Sequence, residues 1–206
     1  RTLQAGNGNV FDVEFSPDGR FLVSCMGGRN CSLRIWDVAT STLVRSIDYL
    51  SDVNSACFSA DGTLLLTGDE TRRIRVFDTR TWNEIARLDG FQWPIGQIYL
   101  ARDNRTVIAT EIDWHTRKSR ITVRDLQDAD KSTTIEGQRL LDVSELKRVA
   151  AFASDDGHIS LLSFPNLELV KRFPDRLLGA RCGRFSPSGK FFAAGSAYQN
   201  SQLWDL

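Results

Sequence analysis

A short turn segment returns through the 206-residue chain at nearly constant spacing, and this limits the possible folds more than any other feature. It reads Ser16-Pro17-Asp18-Gly19, Ser59-Ala60-Asp61-Gly62, Ala101-Arg102-Asp103-Asn104, Ser144-Glu145-Leu146-Lys147 and Ser186-Pro187-Ser188-Gly189. The apolar residue before each turn is Phe15, Phe58, Leu100, Val143 and Phe185, so successive copies lie 43, 42, 43 and 42 residues apart. A period of this size marks a supersecondary unit that cannot cover its own apolar face and must stack on its neighbours.

The turns have a local physical reading. Pro17 and Pro187 pre-set the backbone angle of the second turn position, while Gly19, Gly62, Gly189 and Asn104 accept the left-handed conformation that ends it. The fourth copy, residues 144–147, has neither device and is the weakest. Turns of this kind join antiparallel strands. Ahead of each lies a short run such as residues 10–15, with Val13 and Phe15 on one face. Behind each lies a nearly unbroken apolar run (21–23, 64–66, 107–109, 149–152 and 191–194), the pattern of a strand buried on both faces. A third strand alternates: Leu33 and Ile35, Ile74 and Val76, Ile121 and Val123, and Ile159 and Leu161 point one way. Arg34, Arg75, Thr122 and Ser160 point the other, and Gln202 and Leu203 keep the pattern in the last copy. A more polar fourth strand is expected at 42–47, 82–88, 131–135 and 168–173, on an outer edge where charge discourages stray pairing. Four strands per unit at this period predict an all-β chain of propeller blades.

The third strand ends as Ile35-Trp36-Asp37, Val76-Phe77-Asp78, Val123-Arg124-Asp125, Leu161-Leu162-Ser163 and Leu203-Trp204-Asp205. On these residues, in phase with the turns, the chain resembles the WD-repeat β-propeller family over essentially its whole length. The resemblance implies a β-propeller of four-stranded antiparallel blades with five blades present, as one domain or a section of one over residues 1–206. The blades fall approximately at 6–47, 48–88, 89–135, 136–173 and 174–206, with 1–5 as an extra outer strand. Pairing of that strand with the last third strand would close a five-bladed ring; the family's usual larger ring and the opening at Arg1 favour a section instead. Family members often tie each blade with a Gly-His pair and a network of His, Ser or Thr, Asp and Trp side chains. His115 and His158 stand elsewhere, so the resemblance implies a dismantled network, reliance on packing and lower stability per blade.

Charge and cysteine content narrow the function classes. Lys plus Arg is 26 and Asp plus Glu is 26, a balance that argues against unspecific grip on nucleic acid or anionic membrane. With 41% hydrophobic and 25% charged residues the chain is globular rather than disordered. No apolar run approaches the roughly 18 residues that span a bilayer, so no membrane partner is expected. Cys25, Cys31, Cys57 and Cys182 form no C-x-x-C pair and no zinc spacing; neither a metal nor a cofactor is expected. Cys25 and Cys31 flank a glycine loop, yet free buried thiols in a cytoplasmic or otherwise intracellular compartment are the expected state. Asn30-Cys31-Ser32 and Asn104-Arg105-Thr106 match the glycosylation pattern, which is short enough to arise by chance.

Enzymatic chemistry finds few handles. The chain has no G-x-S-x-G, G-x-x-x-x-G-K or H-E-x-x-H segment, and Gly6-Asn7-Gly8 leads to Phe11 where a third glycine would stand. His115 and His158 are read as surface residues. A glycosidase-like propeller hydrolase would use carboxylates on inner strands, for which Asp12, Glu14 and Asp142 are the candidates; lining a tunnel or bonding a neighbouring blade is the alternative use. An enzyme is not expected.

The expected function is a protein-interaction scaffold that holds a protein or peptide on one rim, as part of a larger assembly. Fourth-to-first and second-to-third connections share a rim, and the latter are enlarged at residues 26–30 and 111–119. Phe11, Asn54, Gly96, Arg139 and Arg181 occupy equivalent positions there, with Trp93 and Trp114 nearby. Aromatic and arginine side chains carry most interface energy, so Phe11, Asn54, Trp93, Trp114, Arg139 and Arg181 are the candidate partner-binding residues, Trp93 having the alternative of covering a blade core. Arg117, Lys118 and Arg120 suit an acidic segment or phosphate. Arg72, Arg73 and Arg75 form a second basic run, for which an RNA- or DNA-associated role is the minor alternative.

Overall fold

A computed structural model of the chain describes residues 2–3, 7–128, 131–164, 166–198 and 200–206. Every regular element among them is a strand. The first sheet holds β1 (Asn9–Phe15), β2 (Phe21–Gly27), β3 (Ser32–Asp37) and β4 (Thr42–Asp48). The second holds β5 (Val53–Phe58), β6 (Leu64–Asp69), β7 (Ile74–Asp78) and β8 (Asn83–Leu88); the third holds β9 (Ile95–Leu100), β10 (Thr106–Asp113), β11 (Lys118–Asp125) and β12 (Ser132–Glu136). The fourth holds β13 (Gln138–Ser144), β14 (Val149–Ser154), β15 (His158–Ser163) and β16 (Leu169–Arg176). The fifth has three strands, β17 (Ala180–Phe185), β18 (Phe191–Ser196) and β19 (Ser201–Asp205). Strands lie in chain order within each sheet and pair antiparallel. The all-β propeller-blade architecture expected from the repeat is therefore present. The extra outer strand expected over residues 1–5 falls mostly outside the described residues.

The chain forms two compact units, Arg1–Asp113 with Thr122–Thr133, and Trp114–Ile121 with Thr134–Leu206. In unit one, Val23, Cys25, Leu33 and Ile35 of the first sheet pack against Val53, Ala56, Phe58, Leu65 and Phe77 of the second. The other flank of the second sheet, with Leu66, Ile74 and Val76, packs against Ile95, Ile98, Leu100, Val107 and Ala109 of the third. In unit two, Ala151, Ile159, Leu161 and Phe173 of the fourth sheet meet Phe192, Ala194 and Trp204 of the fifth. Trp204 stacks between Phe173 and Phe192, with centroids 4.7 and 5.7 Å away. Burying one such side chain contributes about 1.5–3 kcal/mol, so each sheet is stabilised chiefly by the flank of the next. The second strands β2, β6, β10 and β14 are buried nearly throughout, as their unbroken apolar runs require; β18 buries only Phe192 and Ala194 and leaves Phe191 and Ala193 exposed.

The turns use the residues that their chemistry selects. Gly19, Gly62, Asn104 and Gly189 all have positive φ. In the fourth copy Arg148 takes that role at φ 53°, because the turn there is shorter and its closing bond runs from Arg148 N–H to the Glu145 carbonyl. The Ser16 hydroxyl donates to Asp18 and accepts the Phe21 N–H, and Ser59 repeats this with Asp61 and Leu64. The aspartate ending the third strand caps the next turn. Asp37 accepts both the N–H and the hydroxyl of Thr40, and Asp78 does the same for Thr81.

Some expectations need correction. Trp82 is not the start of a fourth strand: it sits in a turn at φ 57°, buried edge-on against Phe21 at 5.2 Å. The enlarged connection at 111–119 is mostly a longer hairpin, since β10 runs to Asp113 and β11 begins at Lys118. The side-chain network is reduced but not wholly dismantled. The buried Trp36 indole still donates to Ser24 Oγ at 3.1 Å. At the tryptophan position of the third sheet, Arg124 lies over the Phe91 ring and donates to the Asp89 and Gly90 carbonyls. All four cysteines are free, but only Cys25 is buried: Cys31 and Cys57 are half-buried and Cys182 is exposed.

Candidate functional site

The first strands carry most of the residues singled out in the sequence, and their pairing decides what each does. Phe11, Asn54, Gly96 and Arg181 are each the extra residue of a β-bulge, in β1, β5, β9 and β17. Arg139 is not their structural equivalent. The bulge of β13 is displaced to Leu141, and Arg139 stands in the regular ladder opposite Ala153.

In unit one these residues are largely taken up by the fold. Phe11 is the exception: it stays 47% exposed, with its ring edge on Gly27, where an added Cβ would come within 2.2 Å of Phe11 Cε2. The Asn54 amide donates to Glu70 Oε1 at 3.1 Å and to the Ile95 carbonyl at 2.9 Å, fastening the second sheet to the third. Trp93 is half-buried, and its loop is held by a residue outside the candidates read from the sequence. Glu111, fully buried, accepts the N–H groups of Gln92 and Trp93 at 2.7 and 3.0 Å, and the Thr122 hydroxyl. Only its place inside an otherwise apolar strand hinted at a special role. Two of the three arginines in the basic run are neutralised locally. Arg73 pairs with Asp89 at 2.9 Å; Arg75 pairs with Glu84 at 2.6 Å and lies over the Tyr49 ring.

The inner-strand carboxylates hold sheets together. Asp12 Oδ2 accepts the Ala56 N–H of the second sheet at 2.9 Å. Asp142 Oδ2 accepts the Phe185 N–H of the fifth sheet at 2.8 Å, and its Oδ1 receives Arg184 at 3.0 Å. Ser55 Oγ plays the same part between the second and third sheets by accepting the Ile98 N–H at 3.3 Å. His158, contrary to the surface reading, is largely covered, with Nδ1 3.0 Å from Asp156 Oδ2; His115 is exposed. Among the described residues no group of three or more His, Cys, Asp or Glu side chains is placed to hold a metal.

Unit two gathers a different set of side chains at one end of its sheets, where β13 and β17 begin and β14 and β18 finish. Leu178 and Tyr198 are exposed there, and glycines back both. A Cβ on Gly157 would stand 2.9 Å from Leu178 Cδ2, and one on Gly179 would stand 2.7 Å from Tyr198 Cε2. The sequence reading missed both residues; their signal is the loop glycine beside each. Trp114, half-exposed at the tip of the hairpin 114–117, also belongs to this unit. Arg181 is exposed, and its positive charge bears on the half-buried Arg139. Burial and the Arg181 charge hold the Arg139 guanidinium below its ordinary pKa, with Asp155 opposing them. Asp155 itself accepts the Ser119 hydroxyl at 3.1 Å. Arg120, from the neighbouring basic cluster, reaches Glu136 at 3.5 Å.

At the opposite end Ser186 satisfies its own turn by accepting the Phe191 N–H at 3.0 Å, and Leu146 stands exposed in the neighbouring turn.

Known proteins match this arrangement. The family described as "WD domain, G-beta repeat" matches residues 1–37 and 41–78. The chain is 27% identical over 125 residues to a WD repeat-containing protein 55 homolog of Drosophila yakuba, covering 60% of this chain and 25% of that protein. It is 22% identical over 204 residues to the serine-threonine kinase receptor-associated protein of Gallus gallus, covering 95% of this chain and 54% of that one. The chain thus spans a quarter to about half of these relatives. The solved structure of U3-55K superposes with a TM-score of 0.80 at 16% identity, over 100% of this chain and 63% of that one, a likeness of fold. With its in-phase turns, Trp-Asp strand ends and antiparallel four-stranded sheets, the chain carries WD repeats over residues 1–37 and 41–78 and is similar to WD-repeat β-propeller proteins.

Proposed function

We propose that the chain is a non-enzymatic interaction module, intracellular and without a cofactor, that holds a protein or peptide partner within a larger assembly. The contact surface is the end of unit two that carries Trp114, Arg139, Leu178, Arg181 and Tyr198. One observation carries the reading: exposed aromatic, aliphatic and arginine side chains gather at that end on a strand framework. Side chains of this kind dominate binding energy because they bury much area or form paired hydrogen bonds. The free thiols suit a reducing compartment.

The hydrolase alternative loses its residues to the fold, since Asp12 and Asp142 each accept a backbone N–H from the adjoining sheet. The nucleic-acid alternative is weakened in the same way by the Arg73–Asp89 and Arg75–Glu84 pairs. Partner capture by the natural chain, by a Trp114→Ala/Tyr198→Ala variant and by Ser188→Glu at the opposite end tests the surface. The double variant loses captured partners while keeping its melting temperature, and Ser188→Glu keeps them. Loss with Ser188→Glu alone would move the surface to the other end.

A further inference from the structure

Within unit one, a side chain ties the third turn to the second, and the corresponding tie between the second and the first is lacking. Asn104, which ends the third turn, donates its amide to Asp61 Oδ2 of the second at 2.5 Å. One repeat earlier the corresponding residues are Gly62 and Asp18, and a glycine has no side chain to donate. Asp18 Oδ1 accepts the Ser16 hydroxyl at 2.6 Å and the Arg20 N–H at 3.0 Å, but Oδ2 receives no donor among the described residues. The two turns nevertheless lie close together, since a Cβ on Gly62 would stand 3.6 Å from Pro17 Cδ. The difference between the two pairs of turns is one donor side chain.

A cavity of about 450 Å³ opens at this place, lined by Pro17, Phe21 and Phe58 on its apolar side and by Asp18, Asp61 and Arg80 on its polar side. Two carboxylates therefore face one guanidinium, and Arg80 pairs with neither of them within 4 Å. Arg20, two residues beyond Asp18, is drawn instead to Asp37 at 3.9 Å and over the Phe21 ring. Both aspartates are anions at neutral pH. Hydrogen bonds from Ser16 and the Arg20 backbone hold the Asp18 carboxyl below its ordinary value, and those from Ser59 and Thr63 hold Asp61 down to about 2. We infer that this notch is a docking site for an arginine side chain of a partner protein, whose guanidinium donates to Asp18 Oδ2 as Asn104 does to Asp61, and whose stem lies on Pro17, Phe21 and Phe58. The net negative charge of the walls favours a cation, and the apolar side favours one carried on a methylene stem over a small free ion. The site belongs to unit one and shares no residue with the surface proposed in unit two, so it goes beyond that reading.

The test measures binding of a labelled peptide of alternating glycine and arginine, and of the same peptide with citrulline for arginine, to the whole chain. The arginine peptide binds, and the citrulline peptide, of the same shape without the charge, binds at least about tenfold more weakly. Gly62→Asn gives Asp18 the side chain that Asn104 gives Asp61, and it costs the arginine peptide about tenfold. Asparagine suits the backbone there, because Gly62 has φ 71° and Asn104 has φ 54°, so the melting temperature of the variant is unchanged or higher. Asp18→Asn keeps an acceptor for the turn but loses the charge, and it also costs about tenfold. Arg80→Ala leaves the affinity unchanged or raises it, because a like charge leaves the wall. Absence of binding, equal binding of both peptides, or unchanged affinity in either asparagine variant overturns the site. Weaker binding after Arg80→Ala overturns it too, since the notch would then hold an anion. Should Gly62→Asn melt lower, Asp18→Asn alone decides. Partner capture through Trp114 and Tyr198 persists in Gly62→Asn, so this site and the unit-two surface fail separately.

Discussion

The first and second sheets share one sequence pattern but differ in their surroundings. Phe58 on β5 and Phe15 on β1 occupy the same place in the repeat, immediately before the turn. Phe58 is 6% exposed, enclosed by the core between the first two sheets, whereas Phe15 is 57% exposed and its face-mate Val13 is 55% exposed. The same residue type in the same strand position is a core anchor in one sheet and a surface group in the other. A blade's apolar flank therefore has no fixed energetic value; the flank of the adjoining sheet sets it.

The largest expected effect tests this directly. Phe58→Ala should cost about 3–5 kcal/mol of unfolding free energy, the usual loss for a buried aromatic. Phe15→Ala should cost less than about 1 kcal/mol. Urea denaturation of the two variants reads the difference, and equal losses would break the comparison.

Next in size is the stitching between the two sheets. Asp12→Ala leaves the Ala56 N–H without its 2.9 Å acceptor. The expected loss is about 1–3 kcal/mol, accompanied by faster hydrogen exchange at Ala56. A smaller effect is expected within the first sheet. Ser24→Ala removes the acceptor of the Trp36 indole N–H, for about 1 kcal/mol.

The smallest effect concerns pH. Hydrogen bonds from Ser59 and from the Thr63 backbone and hydroxyl hold the Asp61 carboxyl down to about 2, against an ordinary 3.8. The native state therefore releases this proton more readily than the unfolded chain. The stabilisation is full above pH 3.8 and is lost as pH falls towards 2. Asp61→Asn should flatten the acid side of the stability profile slightly; an unchanged slope would mean that the turn contributes nothing.

Legibility varied from element to element, for physical reasons. The turns were readable because Gly19, Gly62, Gly189 and Asn104 satisfy a backbone need that few other residues meet. The fourth turn read only weakly because Arg148 accepts the left-handed conformation without a glycine to announce it. Leu140–Asp142 shows a further limit: the bulge there falls on Leu141, so counting from the turn assigned Arg139 a position held by a different residue. Trp82 reads like a strand residue by hydrophobicity, yet its ring fills the core from a turn. Glu111 was hidden for the opposite reason, as a carboxylate buried in a strand whose partners come from a distant loop.

By itself the sequence determined the period, the antiparallel strand order and the side chains that face a core, because turn chemistry and alternation are local properties of the backbone. Only the tertiary structure decided which apolar flanks are covered and which carboxylates bind neighbouring sheets. Those outcomes depend on groups brought together across some forty residues of chain, from Asp12 to Ala56 and from Asp142 to Phe185. The repeat brings such residues near one another, but the position of each bulge sets which side chains finally meet.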